Sequence, residues 1–468
     1  LALVAPKQQV LVLSVDGLSA TDLGALSQQV EWLNQFTNPI RLKTSNGQAI
    51  VSLQSVWAEI LTGRPWYAVG CPGYRRPTAS LNECEVVTED GLWTNNCLIN
   101  SEPARPALLI NMPLLKPRPE HRLWLADGSL PLQTTVSPST LAIKPPFNSY
   151  RPRPFSSSAR ALLHLNDSVK ACLEVEQKRI QCAIALMESH DWQSCFLRIT
   201  VFDLLTHLLG PGYLLCEQLS LWPSIKTFLQ FLDTSLKRIS QLAADSYMYL
   251  ISTFSHIVCR ARLNPNQLLA QGGYCNFAPQ EVANQDMTRR KRASLVVAGK
   301  KTEIHWAAQS LISLTSRFEA SRTAAASPVY GTVYLNLQDR FKDGIVSQRH
   351  ALPLMVEVAE YLKYALELEF GNGDYIFRPL RPCLDEPSLK LGQENATLSI
   401  APGIPDLIIS IDGVELTDSS QTPIIDYENH PHSVHKYEGF VCLPESDRLQ
   451  SCEISNLQLH QLLKERFQ

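Results

Sequence analysis

Apolar positions in this chain fall into short unbroken runs separated by stretches of helical period. The first, VLVLSVDG at residues 10–17, is an apolar β-branched run closed by an acidic residue and a glycine. Runs of the same kind recur at residues 107–112, 195–202, 247–254, 332–337 and 406–412. Continuous apolar runs of that length predict strands buried on both faces. Between them, residues 159–190 carry a broad stripe that includes Leu162, Val169, Cys172, Leu173, Ile180, Ala183 and Met187, with a break expected near Asn166 and Asp167. Residues 225–242 form a second helical pattern leading into the strand at 247. Strands alternating with helices predict an α/β fold: a doubly wound, mainly parallel sheet with helices on both faces.

Two regions depart from that alternation. Residues 113–154 are crowded with proline and turn formers and read as a long loop or an excursion over the sheet edge rather than a strand. Residues 264–402 hold a basic run at 289–292, a helical stretch around 304–318, an Ala/Ser-rich piece, a strand, and a helix near 355–368. The expected organisation is therefore a core over residues 1–263, an insertion or cap over 264–402, and a return to the core over 403–468. The basic run reads most simply as a solvated turn.

Composition narrows the function classes. At 468 residues, with 45% hydrophobic and 19% charged residues, the chain can bury a sizeable core. A net charge of -3 gives no electrostatic case for a nucleic-acid partner. The 12 cysteines show no CxxC pair and no zinc-finger spacing, so reduced thiols in a cytoplasm are expected. No segment reaches 18 uninterrupted apolar residues, and the apolar start lacks the parts of a signal peptide, so neither a membrane span nor a secretion signal is expected.

Candidate chemistry is concentrated at strand ends. Asp16 closes the first strand, where open α/β sheets place their ligands. In FDLLTHL, Asp203 and His207 stand four residues apart and share one face of a helical turn, a spacing that can chelate zinc, manganese or iron. A surface pair, or a capping Asp beside a bystander His, is the plainer reading of that spacing alone. His430, His432 and His435 crowd into HPHSVHKYEGF, where a third ligand can be sought, although a polar loop rich in His is the plainer reading of that segment alone.

Taken in order, VLVLSVDG, LTGRP at 61–65, INMPL at 110–114, FDLLTH, the strand before RARLNPNQLL, YLNLQDRFKDGIV at 334–346, PDLIISIDG and HKYEGF resemble type I phosphodiesterase/nucleotide pyrophosphatase-like proteins of the alkaline phosphatase superfamily. The resemblance spans most of the chain. It implies a two-metal site on a doubly wound sheet, with a Ser or Thr nucleophile attacking phosphorus between the ions. It places Asp203, His207 and His435 on one metal and Asp16 on the other.

Departures from that pattern are equally informative. Where the family carries an Asp-His-Gly sequence whose Asp and His serve the metal pair, this chain has Thr253 and Phe254. A neutral hydroxyl is a poor substitute for a carboxylate, and a phenyl ring offers a cation no lone pair. His256 lies two residues on and can rescue one ligand but not the pair. The nucleophile position falls on Leu53; Ser52 takes it only with a one-residue shift, and Ser55 stands a turn further on, both reading ordinarily as helix-capping residues. The expectation is a catalytically degenerate protein that binds at most one divalent metal, zinc or manganese, or none, and still takes a phosphate-bearing small-molecule ligand. The alternative is an active phosphodiesterase or phosphatase with a rearranged site using Ser52. A structural role in a larger assembly is the third reading.

Overall fold

The computed structural model describes residues 9–36, 38–43, 52–87, 97–99, 106–115, 123–126, 136–152, 165–278, 311–313, 317–329, 331–371, 378–379, 403–417, 423–427, 433–447, 449 and 451–467. Among the described residues the main sheet has nine strands. In chain order they are β1 (Val10–Val15), β2 (Ile40–Lys43), β3 (Ala107–Met112), β4 (Leu123–Ala126), β5 (Val136–Ser137), β6 (Ser194–Ile199) and β7 (Tyr247–Ser252), followed, beyond a separate ribbon of β8 (Ser255–Val258) and β9 (Ser433–Lys436), by β10 (Gly439–Cys442) and β11 (Glu453–Ser455). Their order across the sheet is β11-β2-β10-β7-β1-β6-β3-β4-β5. Pairs β1/β6, β1/β7, β3/β6, β3/β4 and β2/β11 are parallel, whereas β2/β10, β10/β7 and β4/β5 are antiparallel.

Side-chain alternation explains why the central strands read as continuous apolar runs. Leu11, Leu13 and Val15 of β1 join Cys195, Leu197 and Ile199 of β6 in one cluster, while Val10 and Val12 join Phe196, Tyr249 and Ile251 in another. Each strand thus needs apolar residues on both sides. Helices α1 (Ala20–Ser27), α3 (Leu165–Ser189) and α5 (Trp222–Leu242) cover the first face, and α2 (Leu53–Thr62) and α7 (Asn456–Phe467) the second. Between α3 and α5, the short α4 (Val201–Leu209) follows directly on β6. The doubly wound, mainly parallel arrangement is as expected.

Several boundaries differ from the sequence reading. The run at 195–202 stops at Ile199, because Thr200 leaves the extended region and α4 begins at Val201. The run at 247–254 stops at Ser252. Residues 113–154 contribute β4 and β5 to the sheet edge, the apolar Leu123–Ala126 pairing parallel to β3 despite the prolines around it. No break interrupts α3 at Asn166 and Asp167; they form its first turn, where an acidic residue favours the helix dipole.

A third cluster lies around a four-stranded antiparallel sheet of Ala325–Val329, Thr332–Leu335, Leu407–Ile408 and Arg378–Pro379. The expected strands at 332–337 and 406–412 pair here with each other and do not enter the main sheet. Helix α6 (Gln348–Phe370) packs Met355, Val358, Leu362 and Leu366 into the same cluster. Within the helical stretch expected at 304–318, Leu311–Ser313 is instead a strand, its backbone taken up by antiparallel pairing with Glu83–Val86. The basic run 289–292 lies outside the described residues.

Candidate metal centre

Four side chains converge just beyond the carboxyl end of β6. Asp203 Oδ1 lies 3.0 Å from His256 Nε2, 3.0 Å from His435 Nε2 and 3.4 Å from His207 Nε2. His207 Nε2 and His435 Nε2 are 2.9 Å apart, and one ligand atom from each of the four residues falls within 4.8 Å of all the others. Asp203, His207 and His435 are the ligands expected from sequence for one metal, and His256, which the sequence offers as a replacement for one lost ligand, joins them. His430 and His432 lie outside the described residues.

Local structure explains each placement. Asp203 and His207 share one face of α4, whose buried face presents Val201, Phe202, Leu205 and Thr206 to the core. The helix start is held from below: buried Glu176 accepts from the Thr200 backbone N–H at 3.0 Å, and Arg179 pairs with Glu176 at 2.6 Å and donates to the Thr200 hydroxyl at 2.9 Å. Gly17, at φ +93°, lets the end of β1 approach α4; a Cβ there would lie 2.7 Å from the Asp203 backbone. His256 and His435 come from the antiparallel ribbon, whose register sets them directly opposite. Phe254 lies against the His435 ring at 4.3 Å between centroids, an apolar wall beside the cluster.

Electrostatics favour an ionised Asp203 carboxylate beside a neutral His256. Burial is the largest influence on Asp203 and raises its pKa, yet the charge of His435 and hydrogen bonds from His207, His256 and His435 outweigh it, so the carboxyl sits well below its usual range. His256 is pushed down to about 4, first by burial, against the pull of Asp203. Burial also works against charge on His207, but its hydrogen bond to Asp203 and that carboxylate's field leave it raised.

Imidazole nitrogens with one carboxylate are the donors that zinc takes, and manganese accepts less readily. The donor set therefore fits a single divalent cation. Asp16 is a different case. Fully buried, its carboxylate accepts from the Ser14 hydroxyl at 2.6 Å, from the Thr253 hydroxyl at 2.8 Å and backbone N–H at 3.4 Å, and forms an ion pair with Arg198 Nε. Three of those donors converge on Oδ1, and the guanidinium takes Oδ2. Arg198 also touches the Asn111 carbonyl at 3.4 Å, while Asn111, at φ 61°, donates to the Arg198 carbonyl at 2.9 Å. The carboxylate at this position is thus paired with a guanidinium, and Phe254 has no donor atom.

Ser52 is the N-cap of α2, its hydroxyl accepting from Ser55 N at 3.2 Å and lying 2.9 Å from the Ser55 hydroxyl. Leu53 is the first residue of that helix and packs against the second cluster.

No protein-family model matches the chain, and no curated protein matches its sequence. Its fold is similar to that of murine ectonucleotide pyrophosphatase/phosphodiesterase 5, an inactive variant in complex with AMP, with a TM-score of 0.51 and 11% identity over 98% of this chain and 95% of that chain. The human counterpart gives the same values, a TM-score of 0.51 and 11% identity over 98% and 95% of the two chains. Phosphonoacetate hydrolase from Sinorhizobium meliloti, in complex with phosphonoformate, aligns over 99% of this chain and 96% of its own at 10% identity, with a TM-score of 0.49. These proteins are alkaline phosphatase superfamily members, and the fold of this chain is alkaline-phosphatase-like. No helix among the described residues is long and apolar enough to cross a membrane.

Proposed function

We propose that this chain is a phosphodiesterase-like protein that has lost hydrolytic activity and holds one divalent cation, zinc in preference to manganese, through Asp203, His207 and His435. The observation that carries the reading is the contrast between two carboxylates. Asp203 is ringed by imidazole nitrogens at 3.0 to 3.4 Å, whereas Asp16 is neutralised by Arg198 and Thr253. With one cation in place of two, no second Lewis acid balances the entering and leaving oxygens of an in-line displacement. The nucleophile position is also changed: Leu53 cannot attack phosphorus, and the Ser52 hydroxyl caps α2. Losing a nucleophile commonly lowers the rate about a million-fold.

A phosphate-bearing small molecule is the ligand class we assign to the protein, prompted by the AMP bound to the murine structure of similar fold. We place the chain in the cytoplasm, a reading supported by the buried thiols of Cys71, Cys172, Cys182, Cys195, Cys259, Cys275 and Cys442. Elemental analysis of the purified protein is the direct test. About one ion per chain is expected in the wild type and none in Asp203→Ala, with no hydrolysis of bis(p-nitrophenyl) phosphate above the variant's background. Two tightly held ions, or hydrolysis that depends on Asp203, would overturn the proposal in favour of an active enzyme using Ser52.

A further inference from the structure

We infer that His256 is a fourth ligand that closes the coordination sphere, so that the cation ties α4 to the β8–β9 ribbon and has no position open to substrate. This rests on the single-cation reading and goes beyond it by assigning the coordination position that a catalytic zinc keeps for water or substrate.

Three observations carry the inference. The first is register: His256 faces His435 across the ribbon, and its side chain is only 2% exposed, with Nε2 turned 3.0 Å from the Asp203 carboxylate. The second is spacing. A tetrahedron built on zinc bonds of about 2.0 to 2.1 Å has edges of about 3.3 Å; four of the six separations among Asp203, His207, His256 and His435 are 2.9 to 3.4 Å, and the other two, from His256 to His207 and His435, fall within 4.8 Å. The third is the hydroxyl of Ser433. It donates to the Thr206 carbonyl at 3.3 Å, which uses its one proton, and its lone pairs face His256 Nδ1 at 3.2 Å and His207 Nδ1 at 3.5 Å. With a cation bound, both imidazoles then carry their proton on Nδ1, leaving each Nε2 lone pair aimed into the cluster. One shared hydroxyl thus sets two rings for metal binding, the outer-shell arrangement that fixes tautomer and orientation in histidine metal sites.

Cobalt(II) in place of zinc reads the coordination directly. The wild-type protein is expected to give the intense visible absorption of a four-coordinate ion, unmoved by added inorganic phosphate. In His256→Ala the ion should remain, with affinity lower by at least about tenfold, and its spectrum should now shift as phosphate enters the vacated position. His256→Asn, which fills the space with a neutral amide, provides the same comparison with less disturbance of packing, and far-UV circular dichroism checks that both variants fold. A wild-type spectrum that moves with phosphate, or variant spectra identical to the wild type, overturns the closed sphere and leaves the single cation standing. Failure of the folded wild type to bind cobalt at all overturns both.

Discussion

Asp16 and Asp203 both sit at the carboxyl ends of parallel strands, yet different neighbours give them different chemistry. For Asp16 the decisive partner is Arg198, which the β1/β6 register sets opposite Ser14. Both side chains of the pair are almost completely buried, at 0% and 5% exposure. Removing the cation strands the anion, so Arg198→Met should destabilise the protein by about 3–5 kcal/mol in urea unfolding, and Asp16→Asn in the same chain should recover part of the loss. A cost near zero would show that the pair contributes nothing. Metal content should stay at one ion per chain in Arg198→Met, because freeing Asp16 adds no further ligand at Thr253 or Phe254. From sequence, Asp16 at a strand end reads as a ligand; the guanidinium that answers it lies on another strand, and no local pattern signals that pairing. Asp203 and His207 are legible because helical spacing is local. The part played by His256 is not, since it depends on a ribbon joining segments far apart in the chain.

Among the elements, α2 and α7 show how a short motif can be structural. Glu59 accepts from Asn456 Nδ2 at 2.8 Å and from the Trp66 backbone at 3.2 Å, and His460 Nδ1 lies 2.9 Å from the Ile60 carbonyl, to which it donates. The glycine of LTGRP ends α2 at φ +64°, where an added Cβ would lie 2.4 Å from the His460 ring. Gly63→Ala should therefore cost more than about 1 kcal/mol, and His460→Ala in the same chain should relieve the clash component; strict additivity in a double-mutant cycle would count against that contact. The same histidine gives a pH dependence. Burial lowers its pKa below 6.5, so the fold favours the neutral ring while the unfolded chain takes up a proton. Its contribution is full above the unfolded pKa, about 6.5, and is lost as pH falls through the folded one. Unfolding midpoints measured from pH 8 downward should fall less steeply for His460→Gln than for the wild type, and parallel profiles would exclude the role. The central strands β1, β3, β6 and β7 are legible because both faces demand apolar residues. The short outlying strands β2, β4, β5, β10 and β11 are not, because sheet position rather than local pattern makes them strands.

For the whole molecule, the cation would join structure that covalent order leaves separate. Helix α4 belongs to the main layer through Phe202 and Leu205, while the ribbon continues beyond β8 into Ala261–Leu263, which pairs with Val414–Leu416 and feeds the third cluster. Four donors drawn from one helix and two ribbon strands can come together only in the folded chain, so binding energy becomes folding energy. At free zinc one hundred times the dissociation constant the gain is about 2.7 kcal/mol. Thermal unfolding should accordingly shift upward with the logarithm of free zinc and downward with a chelator. Asp203→Ala, which removes the carboxylate among the imidazoles, should respond to neither. Hydrogen exchange resolves where the effect acts: on chelation, protection should fall first at Ser255–Val258 and Ser433–Lys436 and persist in β1, β6 and β7, whose burial owes nothing to the ion. If chelation instead left both the midpoint and the protection of the ribbon unchanged, four converging side chains would have no cation to organise them, and the reading of this fold as a single-metal relic would fail with it.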